Sequence, residues 1–241
     1  RLASLPRFRL ASAGMAYPQS NHAPLWGLTY SAHRGDVILR LLNQLKASRR
    51  PDMKVVYVEI GIYHGHLAHW IASHLSGAAV TMHLIDCFDR CTHTYKDPDF
   101  PSMSQVVSRM KSIGLSECDG LLRCKGECDM LSTSLCSAAD FKVNIHKAWS
   151  TQVSKSLDLG SVDLIYIDGS KSEVRADINA WWPHLADGGV MVGAGFRFNI
   201  GQVRWHVAET FSTDVFLDSD GLWWAIKPEG NRDTKASETQ R

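Results

Sequence analysis

Apolar and polar positions along this chain fall into blocks that switch between two periods. Val55-Val56-Tyr57-Val58-Glu59-Ile60 is a nearly continuous, β-branched run, the pattern of a strand buried on both faces. Val80-Thr81-Met82-His83-Leu84-Ile85, ending at Asp86, is a second such run, and Val143-Asn144-Ile145 is a short third. Val162-Asp163-Leu164-Ile165-Tyr166-Ile167, ending at Asp168-Gly169, is a fourth, and Val190-Met191-Val192-Gly193 a fifth. Between them the period lengthens. Residues 36–48 place Val37, Ile38, Leu41, Leu42 and Leu45 on one helical face. Further helices are predicted over 66–74, 102–113 with Gly114 at its C-cap, 149–157, 173–185 and 201–211. Two last runs, 214–217 and 222–226, flank Asp218-Ser219-Asp220-Gly221, a hairpin signal. Strands alternating with helices predict an α/β fold with a mostly parallel sheet and right-handed crossovers, and the hairpin adds one antiparallel strand.

Composition sharpens the ends more than the middle. A chain of 241 residues with 44% hydrophobic and 21% charged positions is that of an ordinary globular α/β domain. Its net charge of +1 gives no global reason to expect nucleic acid, and no apolar run approaches the roughly 20 residues that cross a bilayer. Residues 1–35 hold Arg1, Arg7, Arg9 and Arg34 and no acid, the composition of a transit-peptide remnant or of a basic arm behind one. That composition carries the expectation of an organelle, mitochondrion or plastid, with cytoplasm as the alternative. Residues 229–241 form a polar tail.

The six cysteines, Cys87, Cys91, Cys118, Cys124, Cys128 and Cys136, crowd into one window without a single C-x-x-C pair. Free thiols, disulfides and a metal site all remain open from the spacing. Residues 116–140, rich in cysteine and poor in periodicity, read as an insertion.

Chemistry is concentrated where strands end. After the first strand the chain reads Glu59-x-Gly61-x-x-x-Gly65, and a helix follows at once. Glycines there let backbone turn sharply and approach a ligand at the positive end of the helix. Dinucleotide folds require G-x-G-x-x-G, which this spacing excludes. With Asp86 after the second strand, Asp168-Gly169, Trp181-Trp182-Pro183-His184-Leu185, Asp187-Gly188-Gly189-Val190, Gln202-Val203-Arg204-Trp205-His206-Val207 and Trp223-Trp224-Ala225-Ile226-Lys227-Pro228, the chain resembles the class I S-adenosylmethionine (SAM)-dependent methyltransferases. It is most similar to their small-molecule O-methyltransferase branch, over about Lys54 to Pro228.

The resemblance implies a Rossmann-like methyltransferase sheet within residues 36–228, SAM as cofactor, and a small-molecule or protein methyl acceptor. It implies that Glu59, Gly61 and Gly65 hold the methionine moiety, Asp86 the ribose hydroxyls, Ser150 the adenine, and that Asp168 serves cofactor and catalysis. The chain departs from that branch at two places. Ser170-Lys171-Ser172-Glu173 follows Asp168-Gly169 without the branch's His and Tyr, and Gly193-Ala194-Gly195-Phe196 stands where the branch has G-H-D-Y. No metal ligand set is therefore expected, and Lys171 is the candidate base, with His64 and His66 beside the glycine loop as further candidates. Two functions follow: a metal-independent methyltransferase, or an inactive methyltransferase-like subunit of an organellar assembly.

Overall fold

In the computed structural model, residues 26–48, 53–75, 78–88, 101–119, 130–137, 140–196, 203–211, 215–218 and 221–229 are described. Helix α1 (Trp26–Ser48) precedes β1 (Val55–Ile60), α2 (His66–Leu75), β2 (Val80–Asp86), α3 (Met103–Lys111), β3 (Ser116–Glu117), β4 (Leu131–Cys136) and β5 (Lys142–Lys147). Then come α4 (Ser150–Ser156), β6 (Val162–Ile167), α5 (Val174–Trp181), β7 (Leu185–Gly193), α6 (Val203–Thr210), β8 (Val215–Leu217) and β9 (Trp223–Ile226). The described strands form one sheet in the order β3-β4-β5-β2-β1-β6-β7-β9-β8. β5, β2, β1, β6 and β7 are mutually parallel, and both edges are antiparallel.

The continuous apolar runs form the centre because helices cover both sheet faces. On β1, Val55 and Tyr57 pack with Ile38, Leu41, Ile71, Val106 and Met110 from α1, α2 and α3. Val58 and Ile60 point the other way, into Val153, Ile178, Trp181 and Val207 from α4, α5 and α6. Glu59 shares the Tyr57 side by strand alternation.

Four sequence expectations change. Helix α1 starts at Trp26, ten residues before the expected Asp36, so Arg34 belongs to the domain and not to a loose arm. Within α1, a Cβ at Gly35 would stand 2.3 Å from the Trp70 ring, so the glycine is what lets α1 cross α2 closely. Within 116–140, β3 and β4 extend the sheet rather than interrupt it, joined by a Cys118–Cys136 disulfide. β4 hides from hydropathy because its partners are polar: Ser134 donates to Asn144 Oδ1 at 2.8 Å, and Ser132 lies 2.9 Å from His146 Nδ1, whose Nε2 meets His83 at 3.0 Å. The helix expected over 173–185 ends early, at Trp181, and Leu185 already begins β7. Pro183 lacks the N–H that would continue it. The terminal hairpin contributes two strands, β9 beside β7 and β8 beyond it.

Candidate functional site

The strand order reverses between β2-β1 and β6-β7, and the C-terminal strand ends splay there into a crevice. Backbone bonds hold its floor: Gly61 N–H donates to Ile85 O at 2.9 Å, Asp168 N–H to Ile60 O at 2.8 Å and Ala148 N–H to Asp86 O at 3.0 Å. Above them opens a cavity of about 460 Å³, walled by Gly61, Asp86, Cys87, Ser150, Asp168 and Asp177 among others. Tyr63 and Trp149, both roughly half exposed, also line it and bring large apolar surface to the opening.

Gly61 sits in the wall at φ +82°, and a Cβ would lie 2.4 Å from Gly169 Cα. Its role is to let the β1 and β6 strand ends touch, which sets the width of the crevice. Gly65 turns the chain at φ +73° but faces Val106 of α3, 3.0 Å from a would-be Cβ, and is not among the described lining residues. Glu59 also stays out of the wall. It is 1% exposed and takes a hydrogen bond from the Tyr57 hydroxyl at 2.8 Å; burial pushes its carboxyl up to about 8, so it is a neutral acid below that pH. The carboxyl is turned toward Tyr57, so the structure does not bring Glu59 to the cavity where the resemblance places the methionine moiety.

Two acids do reach the cavity. Asp86, at the end of β2, accepts from Tyr63 N–H at 3.0 Å on Oδ2 and from Phe88 N–H at 2.8 Å on Oδ1. Burial raises its carboxyl, and N–H groups of both flanking loops pull it back down. Asp168, at the end of β6, is clamped by side chains. Arg34 Nη1 and the Tyr166 hydroxyl (3.1 Å) both donate to Oδ2, and Lys171 Nζ donates to Oδ1 at 2.5 Å. Arg34 also donates to the Tyr166 hydroxyl at 3.0 Å. Lys171, the expected base, is thus the ion-pair partner of Asp168 and lines the cavity beside it. His66 Nδ1 lies 3.1 Å from Arg109 Nη1, and His64 lines a groove between α2 and α3 beside Ser104 and Arg109. Neither histidine lines the cavity.

Ser150 reaches the cavity as expected, but its hydroxyl is spent on Asp177 Oδ1. Sequence reading missed Asp177, Arg34 and Tyr166. Asp177 carried a signal: it is an acid inside the buried stripe Val174, Asp177, Ile178, Trp181 of α5. Burial pushes its carboxyl up to about 6. Arg34 carried none, since its partners lie 132 and 134 positions away. Cys87 is disulfide-bonded and lines the cavity directly after Asp86; Cys91, Cys124 and Cys128 lie outside the described residues. No cluster of three or more His, Cys, Asp or Glu side chains suited to a metal occurs among the described residues.

A family model described as a methyltransferase domain matches residues 58–193, more than half of the chain and the whole of the crevice. The chain belongs to this methyltransferase family. Solved structures agree on the fold. The O-methyltransferase TomG from Streptomyces achromogenes, involved in tomaymycin synthesis and solved with SAM, superposes with a TM-score of 0.50 at 14% identity, over 82% of this chain and 80% of TomG. A Staphylococcus aureus protein assigned as a caffeoyl-CoA O-methyltransferase gives 0.52 at 12% identity, over 81% and 83%. Cofactor-bound Rv0187 from MTB gives 0.51 at 14%, over 84% and 90%. No curated protein matches the chain in sequence. No described helix of this methyltransferase-family chain is long and apolar enough to cross a membrane.

Proposed function

We propose that the protein transfers a methyl group from SAM to a small-molecule or protein acceptor without a divalent metal. The observation that carries this is the cavity at the strand-order reversal, with Asp86 in its wall. Its volume of about 460 Å³ suits a nucleoside-sized ligand, and one backbone N–H from each of two loops, those of Tyr63 and Phe88, holds each oxygen of the Asp86 carboxylate while a lone pair on each remains for ribose hydroxyls.

SAM supplies an electrophilic methyl carbon on a sulfonium, so the protein's task is alignment and the handling of charge. Asp86 orients the ribose. Tyr63 and Trp149 narrow the mouth and exclude water from the reacting line. Asp168 takes no proton from the acceptor, because Arg34, Tyr166 and Lys171 already use both of its oxygens. Lys171 lines the cavity and presents a cation there, which favours an acceptor that attacks as an anion and loses its charge on methylation. In the O-methyltransferase branch that the sequence resembles, a divalent ion neutralises such an acid; here two side-chain cations do so.

Calorimetric titration with SAM and S-adenosylhomocysteine, repeated with chelator, tests the proposal. Micromolar binding indifferent to chelator supports it. Binding lost on chelation removes the metal-independent part, and no binding at millimolar ligand favours the inactive, assembly-subunit reading.

A further inference from the structure

A second opening lies away from the cavity, where α2 passes α3: a groove of about 520 Å³ with His64 and His69 on the α2 side. Gln105, Ser108 and Arg109, spaced i, i+3, i+4, share one face of α3 and line the other side. No Asp or Glu is among the described lining residues. Bonds within the protein consume the acceptors here and leave hydrogens over. Gln105 Oε1 takes the Ser102 N–H at 2.7 Å in the cap of α3, and its amide N–H₂ has no partner among the described residues. Burial first, and the Arg109 cation second, hold the His66 ring below its ordinary pKa, so it is neutral at pH 7. Its Nδ1 accepts from Arg109 Nη1 at 3.1 Å. Ser112 gives its hydroxyl hydrogen to Arg109 O at 2.8 Å, so its 3.3 Å contact with His69 has the ring Nε2–H donating. Arg109 makes no ion pair among the described residues, although its Nε is shut off from water without an acceptor. A guanidinium partly removed from water is costly until an anion pairs with it. A surplus of donors beside an unpaired cation calls for an anion with several oxygens. A bare ion would fill only part of this groove, and a net charge of +1 gives no field for a polyanion.

We propose that the groove between α2 and α3 binds the phosphate of a small-molecule phosphate monoester, with the Arg109 guanidinium and the Gln105 amide as its donors. His66 is a positioning residue that holds the guanidinium. Phosphate suits the groove better than carboxylate, because its three terminal oxygens can take the Arg109 fork, the amide and the Ser108 hydroxyl together. The site is separate from the methyl-transfer cavity and does not depend on it. The two meet only through the loop after β1, where the rings of Tyr63, in the cavity wall, and His64, in the groove, have centroids 4.2 Å apart.

The test titrates the full chain with glycerol 3-phosphate, orthophosphate and acetate, read by calorimetry and by the amide chemical shifts of α2 and α3. The expected result is saturable binding of glycerol 3-phosphate, with acetate at least tenfold weaker. Arg109→Gln removes the charge and should weaken glycerol 3-phosphate about tenfold. Gln105→Glu keeps the helix cap, since Glu serves that position as well as Gln, but sets an anion in the groove. It should also weaken binding about tenfold, in a chain whose fold circular dichroism shows to be intact. Orthophosphate binding as tightly as glycerol 3-phosphate supports the phosphate site and makes the free ion its source. Acetate binding as tightly as either overturns the phosphate assignment. Binding that survives both variants, or that saturating S-adenosylhomocysteine abolishes, overturns the inference by moving the phosphate elsewhere. Failure of the wild-type chain to bind either phosphate overturns it without any variant.

Discussion

Asp86 and Asp168 end neighbouring arms of the same parallel sheet, line the same cavity and look interchangeable in sequence, yet the structure treats them in opposite ways. Asp86 is held by neutral backbone donors from the loops after β1 and β2. Those donors fix its position and leave its charge and spare lone pairs for a ligand. Asp168 is held by two cations and a buried phenol, which neutralise the charge and occupy both oxygens. An acid at a strand end is therefore a ligand group only when its own partners are dipoles. Where its partners are full charges it becomes part of the frame.

Removing a cation should expose that difference most strongly. Arg34 is 8% exposed and serves both Tyr166 and Asp168. Arg34→Met should lower unfolding stability by about 3 kcal/mol, because it takes one of two cations from a part-buried carboxylate and leaves it only Lys171 and the neutral Tyr166 hydroxyl. Urea denaturation reads this. A loss under 1 kcal/mol would mean that the clamp is ornamental and that Asp168 is as free as Asp86.

Ligand affinity should show the reverse ranking. Asp86→Ala should weaken SAM binding by about 2 kcal/mol, roughly thirtyfold, through lost charge-assisted bonds to ribose. Asp168→Asn keeps the shape and should change binding several-fold less. Calorimetry that ranks the two the other way would make Asp168 the cofactor acid and undo the comparison.

Glu59 is a third acid of the same region, and pH separates it from the other two. Its carboxyl titrates near 8 when folded against 4.5 as the ordinary value. The folded state thus binds a proton that the unfolded state has already lost. Stability from this group is complete below pH 4.5 and drains as pH rises toward 8, by up to about 1.4 kcal/mol per pH unit. Glu59→Gln should flatten that decline in urea midpoints measured between pH 5 and 8. An unchanged slope in the variant would show that Glu59 is ionised in the fold and available to a ligand.

The strands that build this frame are legible because burial on both faces makes them continuous apolar runs, as at Val162–Ile167. The acids are legible because each follows such a run. What stays hidden is what each acid touches. Arg34 reaches Asp168 from a helix whose first half carries no clear apolar stripe and contains Gly35, a residue that only the close approach of Trp70 explains. β4 stays hidden for a related reason: Ser132 and Ser134 face His146 and Asn144, so its buried side is polar and hydropathy reads it as loop.

The smallest effect expected concerns the loop that holds Asp86. Cys87 is disulfide-bonded and directly follows Asp86, between it and the Phe88 N–H that holds the Asp86 carboxylate. The crosslink thus restricts the residue immediately after Asp86, while Asp168 has no crosslink beside it and relies on charge. Opening the disulfide frees backbone that ligand binding must then order, at a cost of about 0.5–1 kcal/mol. Cys87→Ser should therefore weaken SAM binding two- to fivefold, with the loss appearing in the entropy of a calorimetric titration. Dithiothreitol should do the same to the wild-type chain and nothing further to the variant. If reductant weakens binding in Cys87→Ser as well, a crosslink other than that of Cys87 is responsible, and Asp86 owes its position to hydrogen bonds alone.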